Sequence, residues 1–270
     1  MSERVSLTIT DGVADVRMTR PDKMNALDPA MFAALNEIGE ELKTAAGVRA
    51  VVLSGEGRGF CAGLDMGSMA AMASSGPREG NATNVSAMAP GRITHLGQQI
   101  AWVWQELPVP VIAAVHGVAL GGGMQLALGA DIRIVAPDVK MSVLEVKWGL
   151  VPDMTGTLRL AQLVRADVAL DLSASGRIID GHEALRIGLA TRVSDTPYED
   201  ALMLAREYAA RSPQAVRGVK ELMRSAYSGA DAATQFAAER RIIGSLIGTP
   251  NQIESVTAGF EKRAGIFTEV

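Results

Sequence analysis

Two patterns of apolar and polar positions alternate along the chain. Val5–Thr10 and Val13–Met18 alternate apolar and polar residues around Asp11-Gly12, which predicts a β-hairpin. Val48–Ser54 and Val109–Val115 are short β-branched runs without that alternation and predict buried strands; Asp131–Ala136 predicts a further strand. Helical spacing begins at Asp28-Pro29, an N-cap with proline at the first helical position. Phe32, Leu35, Ile38 and Leu42 then form one apolar stripe, and the helix is expected to end near Gly47. Further helices are predicted over 93–107, with Trp102 and Trp104, over 124–130, and from 152–156 through Leu158, Leu160 and Leu163. Asp131–Ala136 is followed by Met141–Val146, which sets the acid Glu145 among apolar neighbours. From Asp180 onward the pattern is almost entirely helical. Ser212-Pro213 starts one helix whose apolar face carries Val216, Val219 and Met223. The pattern divides the α/β chain into a mixed body, 1–196, and a helical layer, 197–270, which must pack on the body or on another subunit.

Glycine changes the picture at two strand ends. His116–Gln125 carries three consecutive glycines between a strand and a helix candidate. Glycine permits positive φ and close approach to the main chain. The first N–H groups of a helix have no internal partner and carry partial positive charge. Such a joint can hold an anion or an oxygen that becomes anionic during reaction. A tight turn with close helix-on-strand packing explains the stretch equally well. The same arrangement occurs at 55–65, after the strand at 48–54. Two such turns could direct two N–H groups at one oxygen, the geometry of an oxyanion hole.

Composition narrows the classes. The chain has 270 residues, 48% hydrophobic and 21% charged, enough for a full core. The net charge of −4 with no basic run argues against nucleic acid. The single cysteine, Cys61, excludes an internal disulfide and fits a reducing compartment, so a cytoplasmic location is expected. His95, His116 and His182 have no metal-ligand spacing, and no metal is expected. Residues 107–130 lack charge, but Pro108, Pro110 and the glycines argue against a membrane span. The segment from Met66 to about Arg92 is rich in Met, Ala, Ser and Gly. It suggests a pliable apolar wall or lid, or a loop with a short helix packed by methionine. Gly57–Ala62 formally matches a dinucleotide fingerprint but lacks the strand context that would give it weight. Neither a Gly-x-Ser-x-Gly elbow nor a P-loop is present.

Arg20-Pro21 with Asn25-Ala26-Leu27, then Gly59–Asp65, Pro110–Gly123 and Phe260–Arg263, together resemble the enoyl-CoA hydratase/isomerase (crotonase) superfamily. The resemblance covers essentially the whole chain, in order. It implies a spiral of ββα units with a C-terminal helical trimerisation region, homotrimers or hexamers, and an acyl-CoA substrate, with coenzyme A part of that substrate and no separate cofactor. The family's oxyanion-hole N–H groups fall on Leu64 and Gly122. Its main-chain coenzyme A contacts fall around Lys23, Ala26, Ala62 and Asp65, and Phe260 and Lys262 are implied to reach the coenzyme A of a neighbouring subunit.

The resemblance also frames the reaction. Hydratases of the family use two glutamates spaced as 145 − 125 = 20, yet position 125 is glutamine. A glutamine carries no catalytic proton but can orient a water or a thioester. Asp153 follows Glu145 by 153 − 145 = 8, the spacing at which dienoyl-CoA isomerases place an aspartate. The expected catalytic set is therefore Glu145, Asp153 and Gln125. Double-bond isomerisation leads, and hydration by Glu145 alone or plain acyl-CoA binding are the alternatives. Asp153 could instead be a helix N-cap, and Glu145 could be an ion-pair partner of Arg159 or Lys147. Trp148 could line an acyl pocket or simply pack.

Overall fold

A computed structural model describes residues 3–74, Met88 and residues 91–269. The pliable segment expected from Met66 to Arg92 therefore lies largely outside the described residues. The Asp11-Gly12 turn has φ of 49° and 79°, and it pairs β1 (Val5–Thr10) with β2 (Val13–Met18) antiparallel, Thr10 opposite Val13. The Asp28 carboxylate accepts from Met31 N–H and starts α1 (Pro29–Leu42). That helix stops at Leu42, short of the expected Gly47. Then come β3 (Ala50–Gly55), α2 (Met66–Ser74), α3 (Leu96–Glu106), β4 (Val111–Val115), β5 (Val118–Leu120) and α4 (Gly122–Gly129). The body continues with β6 (Ile132–Val135), β7 (Lys140–Ser142), α5 (Gly156–Leu163), α6 (Ala166–Ser175), α7 (Gly181–Arg186) and β8 (Arg192–Val193). Four helices close the chain: α8 (Pro197–Ala209), α9 (Pro213–Tyr227), α10 (Ala232–Leu246) and α11 (Pro250–Glu261).

The main sheet runs β1-β2-β3-β4-β6-β8, parallel from β2 onward. Both faces of its centre are covered, which is why β3 and β4 read as unbroken apolar runs. Val51, Leu53, Val111, Ala113 and Val115 point into a cluster with Leu35, Trp104 and Leu126. The intervening Ala50, Val52, Ile112 and Ala114 face Ala201, Leu204 and Ala205 of α8. β5 and β7 form a separate parallel pair. The uncharged stretch 107–130 is thus two strands and a buried helix. No helix among the described residues is long and apolar enough to cross a membrane.

Three expectations are corrected. The strand β4 does not feed the glycine triplet directly, because β5 intervenes. Gly117, with φ of 60°, turns the chain where an added Cβ would lie 2.0 Å from Arg58 O. α9 buries Gly218 and Lys220 rather than its apolar stripe, leaving Val219 and Met223 exposed. Lys220 holds that face down by donating to Trp104 O (3.0 Å) and Val109 O (2.8 Å) and pairing with Asp131 (2.7 Å). Finally, the N-cap of α5 is Thr155, at φ of 67°, so Asp153 caps no helix.

Candidate active site

The site is built on two turns that lock together before any acid is added. Asn25 is fully buried at φ of 54°. Its Oδ1 accepts from Arg20 N–H (2.9 Å), and its Nδ2 donates to Glu56 O (3.0 Å) and Gly59 O (2.9 Å). Arg20 pairs with Asp65 at 2.8 Å and with Asp28 at 3.4 Å. Leu27 N–H donates to Gly63 O (2.8 Å) and Asp65 N–H donates to Leu27 O (3.1 Å). That parallel bridge uses the groups flanking Leu64, so the Leu64 N–H points away from Leu27.

The second turn meets the first at Gly63. A Cβ there would lie 2.5 Å from Leu120 O and 3.6 Å from Gly122 N, so only glycine lets the two turns touch. Gly121, at φ of 53°, donates its N–H to Ser142 O (2.9 Å) and sets Gly122 as the first residue of α4. First-turn N–H groups have no partner within their helix. Leu27 and Met154 press on Gly122, where a Cβ would stand 3.0 Å from Leu27 Cδ1 and 2.9 Å from Met154 Sδ. Cys61, packed under Gly123, is no nucleophile: burial pushes its thiol up to about 12 against the opposing Gly63 N–H.

Glu145 faces this junction; a Cβ on Gly121 would lie 3.4 Å from its Oε1. That oxygen accepts from Gln125 Nε2 at 2.6 Å, while Oε2 is buried with no protein partner among the described residues. Burial raises the Glu145 pKa, its own backbone N–H and the Gln125 amide pull it down, and the Asp153 charge adds to the rise. The net shift is upward. Gln125 is fully buried, and its Oε1 accepts from Met154 N–H (2.9 Å) and Gly156 N–H (3.0 Å). Arg159 donates to Leu128 O and Gln162 instead, so the ion-pair reading of Glu145 is not what the structure holds.

One cavity of about 610 Å³ brings together Ala62, Leu64, Gly122, Glu145 and Asp153, with Trp148 on its wall. Gln125 lies behind Glu145, outside the lining. Lys23, Ala26 and Asp65 sit on the loops that bond to the first turn, and the Asp65 carboxylate also accepts from Gly67 N–H (2.8 Å). Phe260 and Lys262 lie at the end of α11, away from the cavity of their own chain, with Phe260 exposed. His116 is a loop residue whose ring bonds Gly57 O at 2.9 Å. Among the described residues no cluster of His, Cys, Asp and Glu could hold a metal. The clamping roles of Arg20 and Asn25 and the contact of Met154 with Gly122 were not visible in the sequence pattern. A second cavity of about 540 Å³ lies beneath α9, but its charged groups are already engaged, Lys220 with Asp131 and Arg224 with Gln105 O.

Comparison with known proteins places the chain in a family. The sequence pattern of the enoyl-CoA hydratase/isomerase family matches residues 8–269. The mitochondrial methylglutaconyl-CoA hydratase of Mus musculus is 34% identical over 93% of this chain and 78% of its own. The (E)-benzylidenesuccinyl-CoA hydratase of Thauera aromatica is 33% identical over 97% of this chain and 98% of its own. The crystal structure of enoyl-CoA hydratase from Bacillus anthracis superposes with a TM-score of 0.84 at 29% identity, covering 98% of both chains. The chain belongs to the enoyl-CoA hydratase/isomerase family, carries its crotonase fold, and is an acyl-CoA-processing enzyme.

Proposed function

We propose that this enzyme shifts a double bond in an enoyl- or dienoyl-CoA through a thioester enolate. The observation that carries the reading is the unequal treatment of three polar side chains. Glu145 and Asp153 line the cavity, whereas the amide at position 125 is buried behind Glu145 with its nitrogen and its oxygen both engaged. Water addition by the two-glutamate arrangement lacks the carboxylate at position 125 here. Proton transfer between carbons needs no activated water.

In this reading the Leu64 and Gly122 N–H groups hold the thioester oxygen as it becomes an enolate oxygen. One such donor is worth ~2.7–4 kcal/mol of transition-state stabilisation. Glu145 Oε2 removes the α-proton, and its raised pKa brings it nearer the range useful to a base. A proton then returns at a remote carbon: from Glu145 for a 3-enoyl thioester or, for a 3,5-dienoyl thioester, from Asp153, which must start the cycle protonated and regains the proton left on Glu145 before the next turnover. The net change is a moved double bond with no proton gained or lost. Gln125 orients Glu145 and does not react. Coenzyme A enters as part of the substrate, along the main chain at Lys23, Ala26, Ala62 and Asp65, and no separate cofactor takes part.

We also propose a homo-oligomer, trimer or hexamer, formed by the helical region 197–270. Val219, Met223, Ile243, Ile247, Ile253 and Phe260 are all exposed apolar side chains on its helices, the surface that subunit contact would cover. That packing would bring Phe260 and Lys262 to a neighbour's coenzyme A.

Hydration by Glu145 alone is the second reading, favoured by the hydratase names of the relatives. A panel of 2-enoyl-, 3-enoyl- and 3,5-dienoyl-CoA thioesters with product identification separates the two. Isomerised 3-enoyl or dienoyl substrates support isomerisation, and a 3-hydroxyacyl product from the 2-enoyl thioester as the main activity overturns it.

A further inference from the structure

The last helix, α11, is held less by the body than by the chain that follows it. Of its residues only Asn251 and Ala258 are buried. At Lys262 the chain turns back with φ of 54° and ψ of 40°, the left-handed region that a side chain enters at a cost. Such a conformation persists only where its surroundings over-determine it. Here the surroundings are residues 263–269, which run back along α11. Arg263 donates to both oxygens of Glu254, one of them at 3.0 Å, and Ile266 N–H donates to the same carboxylate at 2.8 Å. Nearer the start of α11, the Asn251 Oδ1 accepts from Thr268 N–H at 3.0 Å and its Nδ2 donates to Thr268 O at 2.8 Å. The far end is buckled to the rest of the chain. Arg49, just before β3, donates to Phe267 O (2.9 Å) and to Glu269, and Arg217 of α9 donates to Glu269 (3.1 Å). Arg263 also pairs with Glu261, whereas the Lys262 side chain stands exposed, with no carboxylate partner among the described residues.

From this arrangement we infer that residues 263–269 are a strap that aims Lys262 at the phosphates of the coenzyme A bound by a neighbouring subunit, and that Glu254 is the positioning residue on which the aim depends. The inference rests on the proposed oligomer and names what holds its shared site in place. A lysine is a point charge on a flexible stem, so where it can reach is set by where its backbone stands. Its bond to a phosphate is charge-assisted and strong only when the two meet at close range. Releasing the strap leaves the charge in the molecule but frees the turn that directs it.

The test is calorimetric binding of octanoyl-CoA and of S-octanoylpantetheine, which carries no phosphate, to the intact enzyme. Binding needs no turnover, so the result is independent of which reaction the enzyme performs. Glu254 belongs neither to the cavity lining nor to the core. Glu254→Ala is expected to weaken octanoyl-CoA about tenfold, with S-octanoylpantetheine within about twofold of wild type and the same assembly by sedimentation. Lys262→Ala is expected to do the same, and the double variant to lose little more than either alone, because both remove one contact. Glu254→Gln keeps an oxygen for Ile266 N–H and is expected to fall between wild type and Glu254→Ala. If Lys262→Ala weakens octanoyl-CoA and Glu254→Ala does not, the strap is overturned while the shared site stands. If wild type sediments as a monomer, or Lys262→Ala leaves octanoyl-CoA binding unchanged, the shared site is wrong and the inference falls with it. Equal losses for both ligands in Glu254→Ala, or a dissociated assembly, also overturn it.

Discussion

The two glycine turns and the acid-bearing stretch 143–156 meet in one cavity but are held in different ways. The turns are fixed by main chain packed on main chain: Gly63 against Leu120 O, Gly117 against Arg58 O and Gly123 against Cys61 O. The stretch 143–156 is held by side chains, Val143 and Met154 in the core and Gln125 beside the acids, and carries several exposed residues, Trp148 and Val151 among them. The difference separates two tasks. In the proposed reaction, polarising the thioester falls to backbone that tolerates no added atom, so its loss and the loss of the fold go together. The proposed fate of the enolate falls to side chains that can change without repacking the body.

Four substitutions sharpen or break that separation. The largest expected effect is that of Glu145→Gln, a loss of roughly 10²–10⁴-fold in turnover with acyl-CoA binding and thermal stability retained. Turnover assays beside calorimetry check it, and wild-type activity would break the assignment. Asp153→Asn is expected to lower 3,5-dienoyl isomerisation by about 10²-fold while melting within a few degrees of wild type. It also removes a charge that raises the Glu145 pKa, so the acid limb of α-proton exchange moves to lower pH. Proton exchange in deuterated water against pH measures both, and parallel losses of stability and activity would contradict the separation. Gly63→Ala, at φ of 87° with a Cβ 2.5 Å from Leu120 O, is expected to cost ~1–3 kcal/mol of stability, read by denaturant unfolding. Unchanged stability there would mean the turns are less tightly joined than the contacts indicate.

The smallest effect on the fold is expected from Gln125→Glu. The new carboxylate keeps an oxygen for Met154 and Gly156 N–H, but it faces Glu145 across 2.6 Å. Two carboxylates so close must share a proton. The acid limb of the rate profile therefore moves to higher pH, opposite to Asp153→Asn. A limb that stays in place would show that Gln125 does not govern the ionisation of Glu145.

Much of this arrangement could be read from the chain because local chemistry wrote it. Asp11-Gly12 dictates a hairpin, Asp28-Pro29 a helix start, and the runs at 48–54 and 109–115 strands covered on both faces. The repeated strand-and-glycine pattern pointed to two turns converging, the family resemblance named Leu64 and Gly122 on them, and both residues line the cavity. What stayed hidden depends on partners distant in sequence. Nothing near Gln125 announces that its oxygen takes Met154 N–H and Gly156 N–H, 29 and 31 residues on, and so delays the helix past Asp153. The three-residue strand β5 has no periodicity to detect inside a glycine-rich stretch. The stripe on α9 was legible as apolar, yet periodicity does not say whether its own chain covers it, and the buried face is anchored by a lysine.

The Leu64 and Gly122 turns abut at Gly63 and again at Gly117 and Gly123, main chain on main chain, and so form a single floor under the cavity. The solvent-open side chains that line the same cavity lie elsewhere, on α2 and at 148–151. The most exacting geometry thus sits where backbone packs on backbone, and adaptable side chains face whatever enters.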